Sequence, residues 1–396
     1  MHLSSMVDRV AGQGARAWEI HEAARKALEA GEDILMLSIG DPDFPTPDVI
    51  CDAAIDAMRA GDTHYTEIAG RRSLRTRIAD RHSKRTGISC SADNVIVLSG
   101  AQCALFSAMA CLAEAGDEVI VLDPAYVTYE AVVRASGARM VRVQQPAETG
   151  FRPDIAAIES AISNRTKVIL LTNPNNPTGV IFNAAEIEAI ADIARRHDLW
   201  VVSDEVYSDL VFEGRHLSIA ALPGMAGRTV TVDSLSKSHA MTGWRTGWAI
   251  APESLVAAME NLALAMLYGL PGFIQTGAET ALASGDSIVA AMRDTYRRRR
   301  DCAVEALSPL HALRFSPPQA GMFLMIDVRQ TGLSATDFSW GLLRAEGVSV
   351  LDAAPFGRCA EGHIRVSFTL DEARTSQACQ RIANYLQSVA DTARIA

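Results

Sequence analysis

Chemically reactive and polar residues directly follow five short apolar runs of the sequence. In chain order they are the turn Gly100-Ala101-Gln102, Tyr126, Asn176, the pair Asp204 and Tyr207, and the pair Ser234 and Lys237. A glycine turn that opens a helix presents backbone N–H groups to a phosphate. A lysine flanked by small residues can lose its charge and act as an amine nucleophile. The set therefore indicates one site for a cofactor that carries both a phosphate and an aldehyde.

Pyridoxal phosphate is a cofactor whose functional groups match these residues. Asp204 could pair with the pyridine nitrogen and keep it protonated, so that the ring accepts carbanion charge. Tyr207 and Asn176 could hydrogen-bond the phenolic oxygen, and Tyr126 could stack on the ring. The amine of Lys237 would then hold the aldehyde as a Schiff base. Each residue alone is weak evidence, but together they predict a pyridoxal-phosphate enzyme.

The apolar runs themselves are typical of strands in a parallel sheet. They cover residues 94–98, 118–122, 167–172, 199–203 and 229–233, and the stretches between them are long enough for helices. The runs are hydrophobic almost throughout instead of alternating, as expected for strands that are buried on both faces. In an open parallel sheet, ligands bind beyond the carboxyl ends of the strands. The polar residues above are therefore expected to converge at one edge of the sheet.

The pattern divides the 396 residues, too many for one ordinary core, into three parts. Residues 46–288 are predicted to form a large α/β domain that binds the cofactor. Residues 289–396 begin with a charged helix and contain the strand patterns 322–328 and 363–368, which predicts a smaller α+β domain. Residues 1–45 combine an amphipathic helix with an extended segment, and we expect them to pack against the smaller domain.

The composition favours a soluble, cytoplasmic protein. A formal net charge of −10 argues against a general nucleic-acid binder, which needs a basic face for the phosphates. The seven cysteines are scattered and lack CxxC spacing, which is typical of reduced thiols and predicts neither disulfides nor a metal site. The first residues lack an apolar signal core, and the longest apolar stretch, residues 262–274, is too short to span a membrane.

Seven motifs give the sequence a resemblance to the class I and II aminotransferases, which are pyridoxal-phosphate enzymes of fold type I. The motifs are IGDPDFPTP (39–47), HYTEIAG (64–70), LSGAQCAL (98–105), NPNNPTG (173–179), SDEVY (203–207), SLSKSHAMTGWRTGW (234–248) and HIRVSF (363–368). They span nearly the whole chain, and NPNNPTG followed by SLSK and GWR is a highly specific combination. The resemblance implies a large domain with a mostly parallel central sheet beside a smaller α+β domain.

The resemblance also implies roles residue by residue. Lys237 becomes the Schiff-base lysine that moves a proton between the substrate Cα and C4′ of the cofactor. Ser234 and Arg245 join the turn at residues 100–102 as phosphate ligands. Arg365 becomes the fork that binds the substrate α-carboxylate through two parallel hydrogen bonds, a geometry that suits a guanidinium and not an ammonium group.

Three further positions and two departures follow from the same resemblance. Gly40 would let the backbone approach the substrate carboxylate, with Asn176 beside the substrate. Tyr65 would reach the phosphate in the neighbouring subunit, which implies a homodimer with shared sites. Many relatives have a Ser or Thr where Tyr268-Gly269 stands, and Ala101 replaces a hydroxyl residue of some members, so phosphate contacts at these two places are expected to differ.

The implied reaction is a ping-pong transamination between an L-amino acid and a 2-oxo acid. The segments GAQCAL, YVTYEAV, SLSKSHAMTGWR and MLYG are most similar to members that use arginine and pyruvate. They favour arginine as the donor, with pyruvate or 2-oxoglutarate as the acceptor. Aspartate or aromatic donors are alternatives, as are a C–S β-lyase or decarboxylase reaction on the same fold, a cofactor-binding transcriptional regulator and a non-catalytic relative. Trp18, Glu19 and Tyr268 are candidates for contacting the substrate side chain.

Overall fold

The computed structural model describes residues 2–12, 14 and 18–395. Residues 1, 13, 15–17 and 396, which belong to the predicted terminal segments, lie outside this described part. The described α-helices are Ser5–Val10 (α1), Glu19–Glu29 (α2), Asp48–Arg59 (α3), Arg72–Thr86 (α4), Gly100–Leu112 (α5), Tyr129–Ala135 (α6), Ile155–Ser160 (α7), Ala184–Arg196 (α8), Glu253–Met266 (α9), Gly272–Ala283 (α10), Asp286–Leu307 (α11), Ala335–Glu346 (α12) and Glu372–Ile395 (α13). The described strands are Leu35–Met36 (β1), Val95–Ser99 (β2), Glu118–Asp123 (β3), Arg139–Gln144 (β4), Thr166–Thr172 (β5), Trp200–Asp204 (β6), Thr229–Ser234 (β7), Thr246–Ile250 (β8), Phe323–Asp327 (β9), Val348–Ser349 (β10), Leu351–Asp352 (β11) and His363–Ser367 (β12).

A seven-stranded sheet lies at the centre of the larger part of the chain. Its order is β2-β8-β7-β6-β5-β3-β4, and β4, β3, β5, β6 and β7 pair in parallel, whereas β8 is antiparallel to both of its neighbours. Along the chain, α6 lies between β3 and β4, α7 between β4 and β5, and α8 between β5 and β6, whereas β6 and β7 are joined by a segment with two short 3-10 helices. The predicted fold class, an α/β fold with a mostly parallel central sheet, is confirmed. Each of the five predicted runs begins and ends within one residue of the first and last residues of the corresponding observed strand.

Two strands of this sheet, β4 and β8, were absent from the sequence prediction. β4 has the sequence RMVRVQ and lies at the sheet edge, where most of its residues are partly or fully exposed. It therefore lacks the continuous apolar run that buried strands show. β8 has the sequence TGWAI, and it is fully buried although it contains a glycine. Its position depends on pairing with β2 and β7, which local sequence does not reveal.

Helix ends in the larger part follow local sequence signals. Asn183 precedes α8 and accepts a hydrogen bond from the backbone N–H of Glu186 at 3.0 Å, while the Glu186 carboxylate accepts one from the backbone N–H of Asn183 at 2.8 Å. This reciprocal pair is a capping box. α4 ends at Gly87, whose φ of +74° is a left-handed conformation that favours glycine. These signals fix the residue at which α8 begins and the residue at which α4 ends.

The C-terminal part contains a second, smaller sheet with the antiparallel order β11-β12-β9. The N-terminal segment joins this part through β1, because Leu35 and Met36 pair in parallel with Val348 and Ser349. Asp43 farther along the segment accepts hydrogen bonds from both terminal nitrogens of Arg299, at 2.7 and 2.9 Å. The segment that follows β1 is thereby held along the boundary of the two sheets. The domain limits near residues 45 and 288 stay a prediction.

No helix within the described ranges is both long enough and apolar enough to cross a membrane.

We expect the substitution Gly247→Ala to destabilise the protein. A Cβ atom at Gly247 would lie 2.5 Å from the backbone nitrogen of Ala101, so β8 and the start of α5 would have to separate. Forcing extra atoms into a packed interior costs about 1–3 kcal/mol, and the melting temperature of the cofactor-free chain should fall by several degrees. The matched control is Gly227→Ala, whose Cβ would meet nothing within 4 Å. Equal melting temperatures for the two variants would contradict the close packing.

Candidate active site

A cavity of about 310 Å³ opens at the carboxyl ends of β5, β6 and β7, below the N-terminal segment. Eleven of the thirteen site residues predicted from sequence line it. They are Gly40, Ala101, Gln102, Tyr126, Asn176, Asp204, Tyr207, Ser234, Lys237, Arg245 and Arg365. The structure therefore brings together residues that are separated by up to 325 positions, at the sheet edge where the sequence analysis expected them to converge.

Lys237 follows β7 and reaches up to the N-terminal segment. Its Nζ donates a hydrogen bond to the carbonyl oxygen of Gly40 at 2.6 Å. Burial lowers the pKa of Lys237 from 10.5 to about 8; Asp41 opposes this shift, and the positive charges of Arg365 and Arg245 add to it. Lys237 therefore exchanges protons near neutral pH, unlike a surface lysine.

Gly40 lies where a side chain cannot fit. A Cβ atom there would approach the Phe323 ring to 2.2 Å, far inside van der Waals contact. The glycine thus allows the N-terminal segment to pass close over β9 and to bring its carbonyl oxygen to Lys237.

Asp204 is the last residue of β6 and is 5% exposed. Its Oδ2 accepts a hydrogen bond from the Tyr129 hydroxyl at 2.7 Å, and its Oδ1 accepts one from the backbone N–H of Val206 at 3.3 Å. Burial raises the pKa of Asp204 to about 6, and the two hydrogen bonds oppose that shift because they stabilise the carboxylate. The carboxylate therefore lines the cavity while two donors of the protein hold it in place.

Asn176, Tyr207 and Arg365 form a buried hydrogen-bonded group on one wall. The Asn176 amide donates to the Tyr207 hydroxyl at 3.3 Å, and its Oδ1 accepts from Nη1 of Arg365 at 3.0 Å. Nη2 of Arg365 donates to the carbonyl oxygen of Ser38 at 3.3 Å. Burial raises the pKa of the Tyr207 phenol well above its usual value, so this hydroxyl remains protonated at neutral pH.

Arg365 is buried without a counter-charge. It lies in β12, is 1% exposed, and sits over the rings of Phe323 and Phe356 at 4.0 and 4.8 Å from their centres. Among the described residues, no carboxylate lies within 4.0 Å of its guanidinium, and its Nε has no hydrogen-bond partner. Burial lowers its pKa to about 10. A buried charge without a partner is costly, so this guanidinium suits an anionic ligand such as a carboxylate.

Three elements place positive or N–H groups at the opposite end of the cavity. α5 begins at Gly100, whose φ is +79°, and Ser99 provides no side-chain cap, so the first N–H groups of the helix are free of such a cap. The Arg245 guanidinium lies so close that a Cβ at Gly100 would be 2.5 Å from its Nη2. Ser234 at the end of β7 adds a hydroxyl. A helix start, a guanidinium and a hydroxyl together suit a phosphate.

The cavity therefore fits pyridoxal phosphate on features of the chain itself. The start of α5 with Arg245 and Ser234 would hold the phosphate, the buried Asp204 carboxylate would meet the ring nitrogen, and the Tyr126 ring would cover the aromatic face. The amine of Lys237, whose pKa is lowered by burial, lines the same cavity.

Two predicted site residues do not line the cavity. Gly100 lies directly behind it, against Arg245. Tyr65 is 84% exposed and stacks on Tyr268, with ring centres 4.8 Å apart. Within one chain, Tyr65 is therefore not part of the site.

Of the candidates for contacting the substrate side chain, only Trp18 lines this cavity. Glu19 faces a neighbouring cavity instead, together with Trp340 and Asp352. Trp18 packs with Tyr126 against a buried cluster that includes Phe356. Tyr268 lies with Tyr65 outside the cavity.

Sequence reasoning missed Tyr129, Thr172, Asp41 and Thr242, which also line the cavity. Tyr129 contacts Asp204, and the Thr242 hydroxyl donates to the Asp41 carboxylate at 2.7 Å. A signal existed for Thr172, because it is the last residue of a predicted strand. Tyr129 gave no such signal, since a tyrosine in an apolar helix is most often part of the core.

Comparison with known proteins identifies the family. Residues 32–382 match the family described as aminotransferase class I and II. The chain is 52% identical to the arginine–pyruvate transaminase of Pseudomonas aeruginosa over 97% of this chain and 98% of that protein. It is 35% identical to the aspartate/prephenate aminotransferase of Thermus thermophilus, over 91% of this chain and 94% of that protein.

Solved structures agree with the sequence matches. The aspartate aminotransferase of Thermus thermophilus with maleate superposes with a TM-score of 0.92 at 32% identity, covering 97% of this chain and all of that one. The chain therefore belongs to the class I and II aminotransferases, and it is a pyridoxal-phosphate-dependent enzyme.

We expect the Lys237 amine of the cofactor-free protein to titrate near pH 8. The extent to which acetic anhydride labels Lys237, measured by mass spectrometry of the peptide that contains it, should rise as the pH increases through 8. The reason is that the charged amine, which predominates below that pH, is unreactive. The variant Asp41→Asn should move the midpoint to lower pH, since it removes a negative charge that raises this pKa. Its amide oxygen still accepts from Thr242. A midpoint near 10.5, the ordinary value for lysine, would show that Lys237 is not desolvated.

Proposed function

We propose that this aminotransferase moves the amino group of L-arginine to a 2-oxo acid, with pyruvate favoured over 2-oxoglutarate. The proposal is supported by the relative from Pseudomonas aeruginosa, which shares more than half of its residues and is named for arginine and pyruvate. Relatives named for aspartate share about a third, and aspartate is therefore the second candidate donor.

We propose Lys237 as the residue that binds the cofactor aldehyde and then moves the substrate proton. Pyridoxal phosphate, when bound, draws electrons from the substrate α-carbon and holds the amino group between the two half-reactions. A group that takes and returns a proton works best when its pKa lies near the working pH, and burial brings the pKa of Lys237 to about 8. Gly40 O holds the amine at the cavity centre at 2.6 Å.

Asp204 and Tyr207 take the other two proposed catalytic roles. The Asp204 carboxylate would hold the ring nitrogen in its protonated form, which makes the ring a better electron acceptor. The Tyr207 hydroxyl and the Asn176 amide, already 3.3 Å from each other, would contact the phenolic oxygen of the ring. Tyr126 would cover one face of the ring.

The phosphate would bind at the positive end of the cavity. Proposed ligands are the backbone N–H groups of the turn at residues 100–102, the Gln102 side chain, the Ser234 hydroxyl and the Arg245 guanidinium. Tyr65 is the proposed ligand from a second subunit: its 84% exposure within one chain is unusual for a tyrosine, and a partner surface would cover it. We therefore propose a homodimer in which each cavity is completed by the other subunit.

Arg365 is the proposed site for the substrate α-carboxylate. Its buried, uncompensated charge would gain a counter-ion, and the flat guanidinium would bind both carboxylate oxygens. Asn176 and Ser38 O hold the guanidinium plane through hydrogen bonds at 3.0 and 3.3 Å. Since Gly40 lacks a side chain, the backbone beside it can approach the same carboxylate.

Trp18 is the proposed contact for the arginine side chain. It lines the cavity, and an indole ring attracts a cation placed over its face more strongly than other aromatic rings do. His21 lies 6.2 Å from the Trp18 ring and is hydrogen-bonded to the Ser38 hydroxyl at 3.0 Å, which ties Trp18 to the segment that holds Arg365.

We also propose a cytoplasmic location. All seven cysteines are free thiols in the structure, as suits a reducing compartment.

The proposed donor and acceptor are tested by assaying the twenty amino acids against pyruvate and 2-oxoglutarate. We expect the largest kcat/KM with arginine and pyruvate, and a much smaller value with citrulline, which replaces the guanidinium by an uncharged group of the same shape. The variant Lys237→Ala is the blank and should give no turnover and no borohydride-trapped cofactor. A preference for aspartate would overturn the arginine proposal, whereas turnover by Lys237→Ala would overturn the role of Lys237.

The role of Arg365 is tested with Arg365→Lys. Because an ammonium group cannot make two parallel hydrogen bonds, about 1.5–3 kcal/mol of charge-assisted bonding should be lost, so kcat/KM should fall roughly tenfold or more for every donor. Most of the change should appear in KM. The control Arg329→Lys alters an exposed arginine paired with Asp327 and should leave the kinetics unchanged. If both variants keep the wild-type kcat/KM, the carboxylate site is elsewhere.

A further inference from the structure

A chain of hydrogen bonds beneath the cavity ends on Asp204. The Tyr129 hydroxyl donates to Oδ2 of Asp204 at 2.7 Å, and the same hydroxyl lies 2.5 Å from that of Thr172. Tyr129 has a single hydroxyl proton, and Asp204 accepts it, so Thr172 must donate its own proton to the Tyr129 oxygen. The bonds therefore all point from Thr172 through Tyr129 toward the carboxylate.

These hydrogen bonds matter because Asp204 is buried without a cation beside it among the described residues. Tyr129 is 1% exposed, and Thr172 and Asp204 are each 5% exposed. In the described part of the protein, no arginine, lysine or histidine forms an ion pair with Asp204. Desolvation alone would favour the neutral acid. Donors aimed at the carboxylate are what favour its charged form before any ligand arrives.

Among the side chains that the structure describes, only Tyr129 donates to Asp204. The ionisable groups that face this carboxylate are Tyr126, Tyr129, Tyr207 and Glu205. Glu205 is occupied elsewhere, since it accepts from Ser203, Ser218 and His216. The remaining donor to Asp204 is the backbone N–H of Val206, at the longer distance of 3.3 Å.

We propose that Tyr129, supported by Thr172, is a positioning residue that keeps Asp204 ionised and turned toward a protonated ring nitrogen in the cavity. Burial and the Asp204 charge raise the pKa of Tyr129 well above its usual value, so the phenol keeps its proton and acts toward Asp204 as a donor. The inference goes beyond the proposed donor and acceptor, because it holds for any amino acid that the enzyme uses.

The test measures how tightly the cofactor-free, full-length chain binds pyridoxine phosphate between pH 5 and pH 8, by calorimetry. This ligand has the ring nitrogen and the phosphate but no aldehyde, so Lys237 forms no bond to it. When Asp204 is protonated, it must lose that proton before it can pair with a protonated nitrogen. The affinity of the wild type should therefore fall as the pH drops through about 6.

The variant Tyr129→Phe removes the donor and keeps the ring. The pKa of Asp204 should rise, so the loss of affinity should begin about one pH unit higher; relative to the wild type, the affinity should fall about fivefold at pH 6 and about tenfold at pH 5. The ligand 3-hydroxybenzyl phosphate lacks the ring nitrogen and should bind the variant and the wild type equally. A drop of the same size for both ligands would overturn the proposal, because the effect would not concern the nitrogen.

Two further comparisons separate positioning from a structural role. Tyr296→Phe removes another buried phenol hydroxyl, which has no partner within the described residues, and should leave both the affinity and its pH midpoint unchanged. Thr172→Val should shift the midpoint in the same direction by a smaller amount, and Thr172→Ser should restore the wild-type value.

The outcomes are distinct. A lower melting temperature for Tyr129→Phe with an unmoved pH midpoint would show a structural role only, and would overturn the proposal. If Tyr129→Phe does not fold, the pair Thr172→Val and Thr172→Ser decides, and equal midpoints for these two would overturn it as well. No amino donor is present in the assay, so failure of the arginine proposal cannot produce either result.

Discussion

The carboxyl ends of β5, β6 and β7 lie side by side, because Thr172 is paired with Asp204 and Asp204 is paired with Val232. This backbone register places the last residues of β5 and β6 beside the end of β7 at one edge, with the turn that carries Lys237 directly beyond. Since all other parts of the cavity are built onto that edge, the ladder hydrogen bonds of the sheet set the relative positions of the acid, the amine and the surrounding hydroxyls. The N-terminal segment and β12 then close the cavity from above.

Burial shifts the pKa of three charged groups of the cavity in the direction that favours the neutral form. It brings the pKa of Lys237 down to about 8, raises that of Asp204 to about 6 and lowers that of Arg365 to about 10. In each case the charged form is disfavoured by the loss of water. Asp204 and Arg365 each lack a counter-charge from the described residues, so a ligand that brings a cationic nitrogen and a carboxylate would relieve both. These two buried charges without counter-charges are thus the strongest structural argument for a cationic ring with an anionic substrate beside it.

Sequence patterns predicted most of the strands and site residues, but not the neighbouring strands and side chains that hold them in place. The five buried runs were located to within one residue, because apolar continuity reports burial on both faces. β4 escaped because it is an exposed edge, and β8 because its burial depends on antiparallel neighbours far along the chain. Likewise Asp204 was identified at a strand end, while Tyr129, which contacts it, looked like an ordinary apolar helix residue. Glu19 was misplaced as a candidate for contacting the substrate, since it faces a different cavity from its neighbour Trp18.

The sequence by itself determined which chemistry is available: a lysine, an acid, an amide and a glycine turn, each directly after a strand, in an order typical of one enzyme family. Such information is local, because apolar period and turn residues act over a few positions. Only the tertiary structure decided that Lys237 meets the Gly40 carbonyl and that Arg365 meets Asn176, contacts that join residues about 190 positions or more apart. These contacts, and the desolvation that shifts each pKa, arise when separate elements pack together and exclude water, and no local pattern encodes them.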